Sequence, residues 1–217
     1  MRGTVFALWP LFAAFVLMGV FLGAAASGAG RVAMVASLAL FAGGAVAAVC
    51  LWPRMTRRVG NYFTGARGEE RVAAGLAALG GEWHVFNDFA FGAFRVDHVV
   101  VGPGGVFAVE TKNWNGQVTL EDGKIFVDGE EPTRDPVAQT ARECDAVGAA
   151  VARAAWKGGV HGVLCFASGT FKGGACAAGG ITVLNACELA GFIEGKGKAA
   201  GEGETERLAE VLAAMAE

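Results

Sequence analysis

Three charged side chains, Asp97, Glu110 and Lys112, interrupt an otherwise apolar stretch, VDHVVVGPGGVFAVETKN. Carboxylates and ammonium groups are almost never fully buried unless they are paired or bound to a metal. If the chain turns symmetrically at Pro103-Gly104, residues whose numbers add to 207 face one another across a hairpin, and Asp97 and Glu110 meet that condition. A two-residue and a four-residue loop give this same register. Directly opposed residues hold their Cβ atoms about 4.5–5.5 Å apart. Two carboxylates that close repel each other unless a proton or a cation lies between them. An all-oxygen pair of this kind suits Mg²⁺ (or Mn²⁺).

Strand alternation puts Glu110 and Lys112 on one face and Thr111 on the other. Lys112 at the strand end is placed to hold an attacking water or to balance charge developing on a phosphate. The trio therefore reads as a metal-assisted hydrolysis site. A structural salt bridge of Lys112 with Asp97 or Glu110 accounts for the same residues, and the short pattern alone leaves both open.

The elements that must position these residues follow from periodicity. GARGEERVAAGLAALGG, from Gly65, reads as a helix with Val72, Leu76 and Leu79 on one face and Gly80-Gly81 at its end. EWHVFNDFAF, FRVDHVVV and VFAVETK read as strands. Turn signals at Asn115-Gly116, Asp122-Gly123 and Asp128-Gly129 predict short antiparallel strands between them. A long helix opens at Asp135 as N-cap with Pro136 at its first position. VHGVLCFA and GITVLN are buried strands flanking an irregular Gly-rich loop. A short helix begins near Glu188, and a last amphipathic helix carries Leu208, Val211, Leu212 and Met215 on one face.

The first 60 residues follow different rules. All 21 acidic residues lie from Glu69 onward, so the first 60 carry +5 and the rest, with 13 basic residues, carry −8. Two apolar runs, about 5–26 and 32–52, are each long enough to cross a bilayer core as a helix. Together they predict a transmembrane helical hairpin over 1–53, followed by a basic juxtamembrane linker at 54–64 and one domain over 65–217. Arg54, Arg57 and Arg58, against a lone Arg31 in the connecting loop, place the main domain in the cytoplasm by the positive-inside rule. A cleaved signal peptide ending near GAAAS is the competing reading of the first run, and it leaves that placement unchanged. Neither run carries an ionisable residue in its middle, which argues for an anchor over a transport path. Cys50, Cys144, Cys165, Cys176 and Cys187 form no CxxC pair and no zinc spacing.

With these residues in view, the chain from about Gly65 to Leu189 resembles the nuclease-related domain (NERD) family, a branch of the PD-(D/E)XK nuclease-like superfamily. The likeness rests on GARGEERV, VDHVVVGPGGVFAVETKNWNG and DPVAQ, in the family's order and spacing. It implies an α/β fold with a restriction-endonuclease-like core in α-β-β-β-α-β order, behind the transmembrane hairpin. It carries over Asp97 as the motif aspartate, Glu110 and Lys112 as the ExK pair, Glu69 as a helical acidic residue and further metal ligand, and Gln139 as a helical glutamine near the site. The metal set it implies is Asp97, Glu110 and Glu69.

The resulting expectation is a divalent-metal-dependent nuclease tethered to a bacterial inner (plasma) membrane. Its partners are nucleic acid, DNA ahead of RNA, the lipid bilayer, and a second copy of the chain in a homodimer. The competing expectation is a non-catalytic tethered module that binds nucleic acid or protein on the same fold. The acidic balance of the domain argues against tight duplex binding, although Lys112, Lys124, Arg95 and Arg134 offer a local basic strip. Trp114 offers a ring on which a base could stack, or equally reads as an exposed loop tryptophan that covers the core. His98, by alternation, points away from the trio and reads as a packed histidine.

Overall fold

The computed structural model describes residues 15–16, 18–20, 22–23, 30–91, 94–198, 200–201 and 203–215. The chain divides into two compact units, Met1–Thr64 and Gly65–Glu217. In the first unit, the predicted first membrane run and its loop fall largely outside the described residues; those described at 15–16, 18–20 and 22–23 are helical. Helix α1 (Arg31–Leu76) begins well before the predicted start at Gly65 and takes in the predicted linker. Gly60 and Gly65 are isolated glycines, each costing a helix about 1 kcal/mol, too little to end it. Among the described residues no helix is long and apolar enough to cross a membrane, and many side chains of the 32–52 run lie outside them. Those that are described, including Val35, Leu38, Leu40, Val46, Val49 and Trp52, are exposed.

The second unit is a mixed α/β domain around a six-stranded sheet, which fits a nuclease-like core. Its strands are β1 (His84–Phe91), β2 (Phe94–Gly102), β3 (Gly105–Lys112), β6 (Val160–Phe166), β7 (Cys176–Ala178) and β8 (Ile181–Asn185). They lie in the order β1-β2-β3-β6-β8-β7, with β3, β6 and β8 parallel and the remaining pairs antiparallel. A separate two-stranded ribbon, β4 (Val118–Glu121) and β5 (Lys124–Val127), turns at Asp122-Gly123. Both turn residues have positive φ, 49° and 79°, as a tight hairpin of Asp-Gly type requires. Helix α2 (Pro136–Arg153) lies between the ribbon and β6 in the chain, and α3 (Ala186–Glu194) and α4 (Glu204–Met215) complete the domain.

The central strands read as continuous apolar runs because both of their faces are covered. On one face Val100, Phe107, Val109 and Leu184 pack with Val72 and Leu76 of α1 and with Leu189 and Ile193 of α3. On the other, Val99, Val101, Val106 and Ala108 meet Val147 and Val151 of α2 and Leu208 and Leu212 of α4. This division sorts the chemistry. Glu110 and Lys112 share the parity of Val106 and Ala108, so they project toward α2, as does Asp97 with the parity of Val99 and Val101.

Two local expectations are corrected. Helix α4 buries Thr205, Leu208, Ala209 and Leu212, while Val211 and Met215 stay exposed. Its contact face thus takes in the small residues at 205 and 209, which a search for large apolar side chains passes over. The Gly-rich loop before β8 contains β7, which pairs antiparallel with β8. The three residues of β7 are too few to announce a strand by alternation.

Candidate active site

The β2–β3 hairpin has the register that symmetry at Pro103-Gly104 predicts, from Gly102 opposite Gly105 to His98 opposite Val109. One step further, Asp97 stands across from Glu110. There the backbone ladder gives way to a side chain: the Thr111 N–H donates to Asp97 Oδ2 at 2.8 Å. Asp97 therefore marks where β2 leaves β3, at the carboxyl end of a parallel strand. That is the end of an open α/β sheet where ligands characteristically bind.

Helix α2 supplies the other wall. Asp135 caps it, accepting from the N–H groups of Val137 at 2.9 Å and Ala138 at 3.2 Å, with Pro136 pre-set at the first position. The first turn is thereby fixed, and Gln139 points back at the strand end. Its Nε2 donates to Glu110 Oε1 at 2.7 Å and to Glu143 Oε1 at 2.9 Å. Its Oε1 accepts from Lys112 Nζ at 3.1 Å. Lys112 Nζ also pairs with Glu110 Oε1. The Gln139 amide is held by an ammonium at its oxygen and two carboxylates at its nitrogen, so its orientation follows from its partners.

Helix α1 closes the site from the other face of the sheet, and Gly68 explains how. A Cβ at Gly68 would lie 2.5 Å from Asn113 Cβ and 3.3 Å from Ala167 Cβ, so the helix reaches the ends of β3 and β6 only without a side chain there. Arg71 Nη1 donates to the Ala167 carbonyl at 2.8 Å and ties the same approach. Glu69, next to Gly68, is exposed and makes no hydrogen bond or ion pair with the cluster among the described residues. It still feels the cluster: burial first, then the charges of Asp97 and Asp88, raise its carboxyl above the usual range.

The same causes act more strongly inside. Burial, then the Glu110 carboxylate, push Asp97 up to about 6, against the pull of the Thr111 N–H and Lys112. Glu110, only 4% exposed, is raised by burial and by Glu143, with Lys112 opposing. Glu143, 8% exposed, is raised chiefly by burial, and its Oε2 has no hydrogen-bond partner. Asp97, Glu110 and Glu143 thus crowd around one ammonium, a site short of positive charge.

Of the five residues expected from the sequence, the structure brings Asp97, Glu110, Lys112 and Gln139 together and leaves Glu69 at the edge. Among the described residues, no group of three or more His, Cys, Asp or Glu side chains is close enough to hold a metal ion. Glu143 was not anticipated. Its signal was available, because Gln139 and Glu143 are four apart and share a helix face. The basic strip does not form as expected: Arg95 is paired with Asp88 and Lys124 with Glu131. Trp114 is half-buried and packs against Phe166 at the edge of the core, its ring centroid 5.7 Å away. His98 is buried, hydrogen-bonded through Nδ1 to Asn87 Oδ1 at 2.8 Å, and held by burial down to about 4.

The sheet thus carries a carboxylate pair and a lysine at a strand end, in a region that is similar to known proteins. Residues 64–167 match the nuclease-related domain (NERD) family. The chain is also similar to a "Probable kinase PglW" of Streptomyces coelicolor, 37% identical over 78 residues. That match takes in 30% of this chain and only 5% of the relative, so the chain spans a small fraction of that protein. No solved structure matches the chain significantly.

Proposed function

We propose that the domain is a divalent-metal-dependent nuclease that hydrolyses phosphodiester bonds, in DNA before RNA. The observation that carries this reading is the convergence of Asp97, Glu110 and Lys112 at the end of β3, with Gln139 bonded to both members of the ExK pair. The carboxylate-rich donor set and its shortage of positive charge fit Mg²⁺ or Mn²⁺. Asp97 and Glu110 would hold the ion; Glu69, at the edge, acts on it only through its charge. When bound, the ion supplies polarisation of a phosphoryl oxygen and a water acidic enough to attack it.

The chain's own residues do the rest. Lys112 presents its ammonium beside Glu110, where it can orient the attacking water or neutralise charge building on the phosphate. Gln139 keeps the Lys112 ammonium at its carbonyl and Glu110 at its amide nitrogen, so both stay aligned as substrate arrives. The Thr111 N–H holds Asp97 at the strand end.

The exposed apolar side chains of residues 35–52, together with the +5 charge of the first 60 residues, support a membrane anchor with the domain on the cytoplasmic face of a bacterial inner membrane. One observation favours a second reading, a non-catalytic tethered binding module: the Lys112–Glu110 ion pair is also what a purely structural role would use.

The deciding experiment assays the full chain, purified in detergent, on single- and double-stranded DNA and RNA with Mg²⁺, Mn²⁺ or EDTA, beside Asp97→Ala and Glu110→Ala. Metal-dependent cleavage lost at least 100-fold in both variants is expected. Cleavage unchanged in Asp97→Ala, or none from wild type under any condition, overturns the nuclease in favour of the module.

A further inference from the structure

A recess of about 420 Å³ opens beside the site, lined by Arg134, Asp135, Ala138, Gln139, Arg142 and Glu143. Its volume lies in the range of clefts that hold small ligands, roughly 300–1,000 Å³. Gln139 is its shared wall, since the same side chain contacts Lys112 and Glu110. Whatever lies in the recess therefore ends next to the reacting groups.

The charges lining it differ in availability. Asp135 is occupied as the N-cap of α2, accepting two backbone N–H groups. Glu143 is nearly buried and turned into the Gln139 bond. Arg134 and Arg142 are exposed, with Ala138 leaving a gap between them, and neither is in an ion pair among the described residues. The two cations earlier in line for a basic strip, Arg95 and Lys124, are committed to Asp88 and Glu131. In a domain with a net charge of −8, two unpaired guanidiniums flanking a recess at the site are a local exception. Guanidinium groups match phosphate oxygens in a two-pronged geometry that lysine cannot reproduce.

We propose that Arg134 and Arg142 hold the backbone phosphates of a nucleic-acid strand whose next phosphate lies at Lys112 and Asp97, making the recess the track along which substrate enters. The proposal rests on the nuclease reading for the direction of entry, and it explains how an acidic domain binds a polyanion.

The test is fluorescence anisotropy of a labelled single-stranded oligonucleotide with the full chain in EDTA, from about 50 to 200 mM salt. Each phosphate contact on a single strand contributes about 0.7 to the slope of log affinity against log salt. Arg134→Ala and Arg142→Ala are each expected to flatten the slope by about that amount and weaken binding several-fold, with unchanged thermal unfolding. Arg95→Ala and Lys124→Ala should keep the wild-type slope. Wild-type slopes in both recess variants, equal losses in the Arg95 and Lys124 variants, or no oligonucleotide binding by wild type would each overturn the track. Because EDTA excludes cleavage, the two readings fail separately. Arginine-dependent binding without cleavage in Mg²⁺ removes the nuclease and keeps the track. Metal-dependent hydrolysis of a small phosphodiester with wild-type slopes in both recess variants does the reverse.

Discussion

At the scale of single residues, the carboxylate cluster costs the fold stability. Asp97 binds its proton more tightly folded, up to about 6, than an ordinary aspartate near 3.8, because it is buried beside Glu110. Its contribution to stability is therefore complete below the unfolded value and is lost as pH rises through about 6. Glu110 and Glu143 are raised in the same direction by burial, so they add to the loss as pH rises. Asp97→Asn removes the charge and keeps an acceptor for the Thr111 N–H. It should raise stability by roughly 1–3 kcal/mol at pH 8 and by almost nothing at pH 4. Urea unfolding of the full chain at both pH values, in EDTA, checks this. Equal stability of wild type and variant at pH 8 would show that Asp97 is not held under strain. Gln139 makes a different demand. Gln139→Leu keeps its bulk but strips its contacts from Glu110, Glu143 and Lys112. If the domain is the nuclease proposed above, cleavage should fall about 10- to 100-fold by loss of kcat with KM little changed, the signature of lost alignment. An unchanged kcat would reduce Gln139 to a packing residue.

At the scale of elements, the two glycines of GARGEERV separate packing from mere helix. Gly68→Ala puts a methyl group 2.5 Å from Asn113 Cβ, an atom close to the backbone that cannot swing away. The helix must lift from the ends of β3 and β6, costing roughly 1–3 kcal/mol and moving Glu69 off the site. Gly65→Ala meets nothing within 4 Å and should be neutral or slightly stabilising by its helix propensity. Comparing the two melting temperatures decides whether the first motif acts by close approach; equal effects would sink that account. These elements also show what could be read from the chain. The hairpin register was legible because Pro103-Gly104 fixes the centre and the apolar pattern tolerates no slip. The N-cap at Asp135 was legible because Asp-Pro is local chemistry. Glu143 had only its four-residue spacing from Gln139 to mark it, and β7 had no signal. A glutamate on a helix looks like a solvated face until the helix is seen lying against a strand end, and a three-residue strand has too few residues to alternate. The contact face of α4 was misread for a related reason, since threonine and alanine bury there as well as leucine.

At the scale of the whole molecule, charge and hydropathy are segregated along the chain, and that segregation predicts where the protein works. The first 60 residues hold no acid, and residues 35–52 expose large aliphatic side chains that water penalises at about 25 cal/mol per Å². A bilayer removes that cost, whereas a soluble partner would have to cover every side of a helix. Attraction of Arg54, Arg57 and Arg58 to anionic headgroups adds about 1 kcal/mol each near the surface, and salt screens it. The apolar term does not weaken with salt. The full chain, mixed with vesicles of neutral and anionic lipid, should therefore float with them in low salt and remain bound in 1 M salt. A Leu38→Asp, Val46→Asp double variant should lose that salt-resistant fraction while keeping the α/β domain folded by circular dichroism. Release of wild type by salt alone would mean that the arginines, and not the apolar run, hold it. A cytoplasmic-side tether would also confine the recess of Arg134 and Arg142 to nucleic acid that reaches the membrane surface, restricting encounter in a way that the acidic domain's own charge does not.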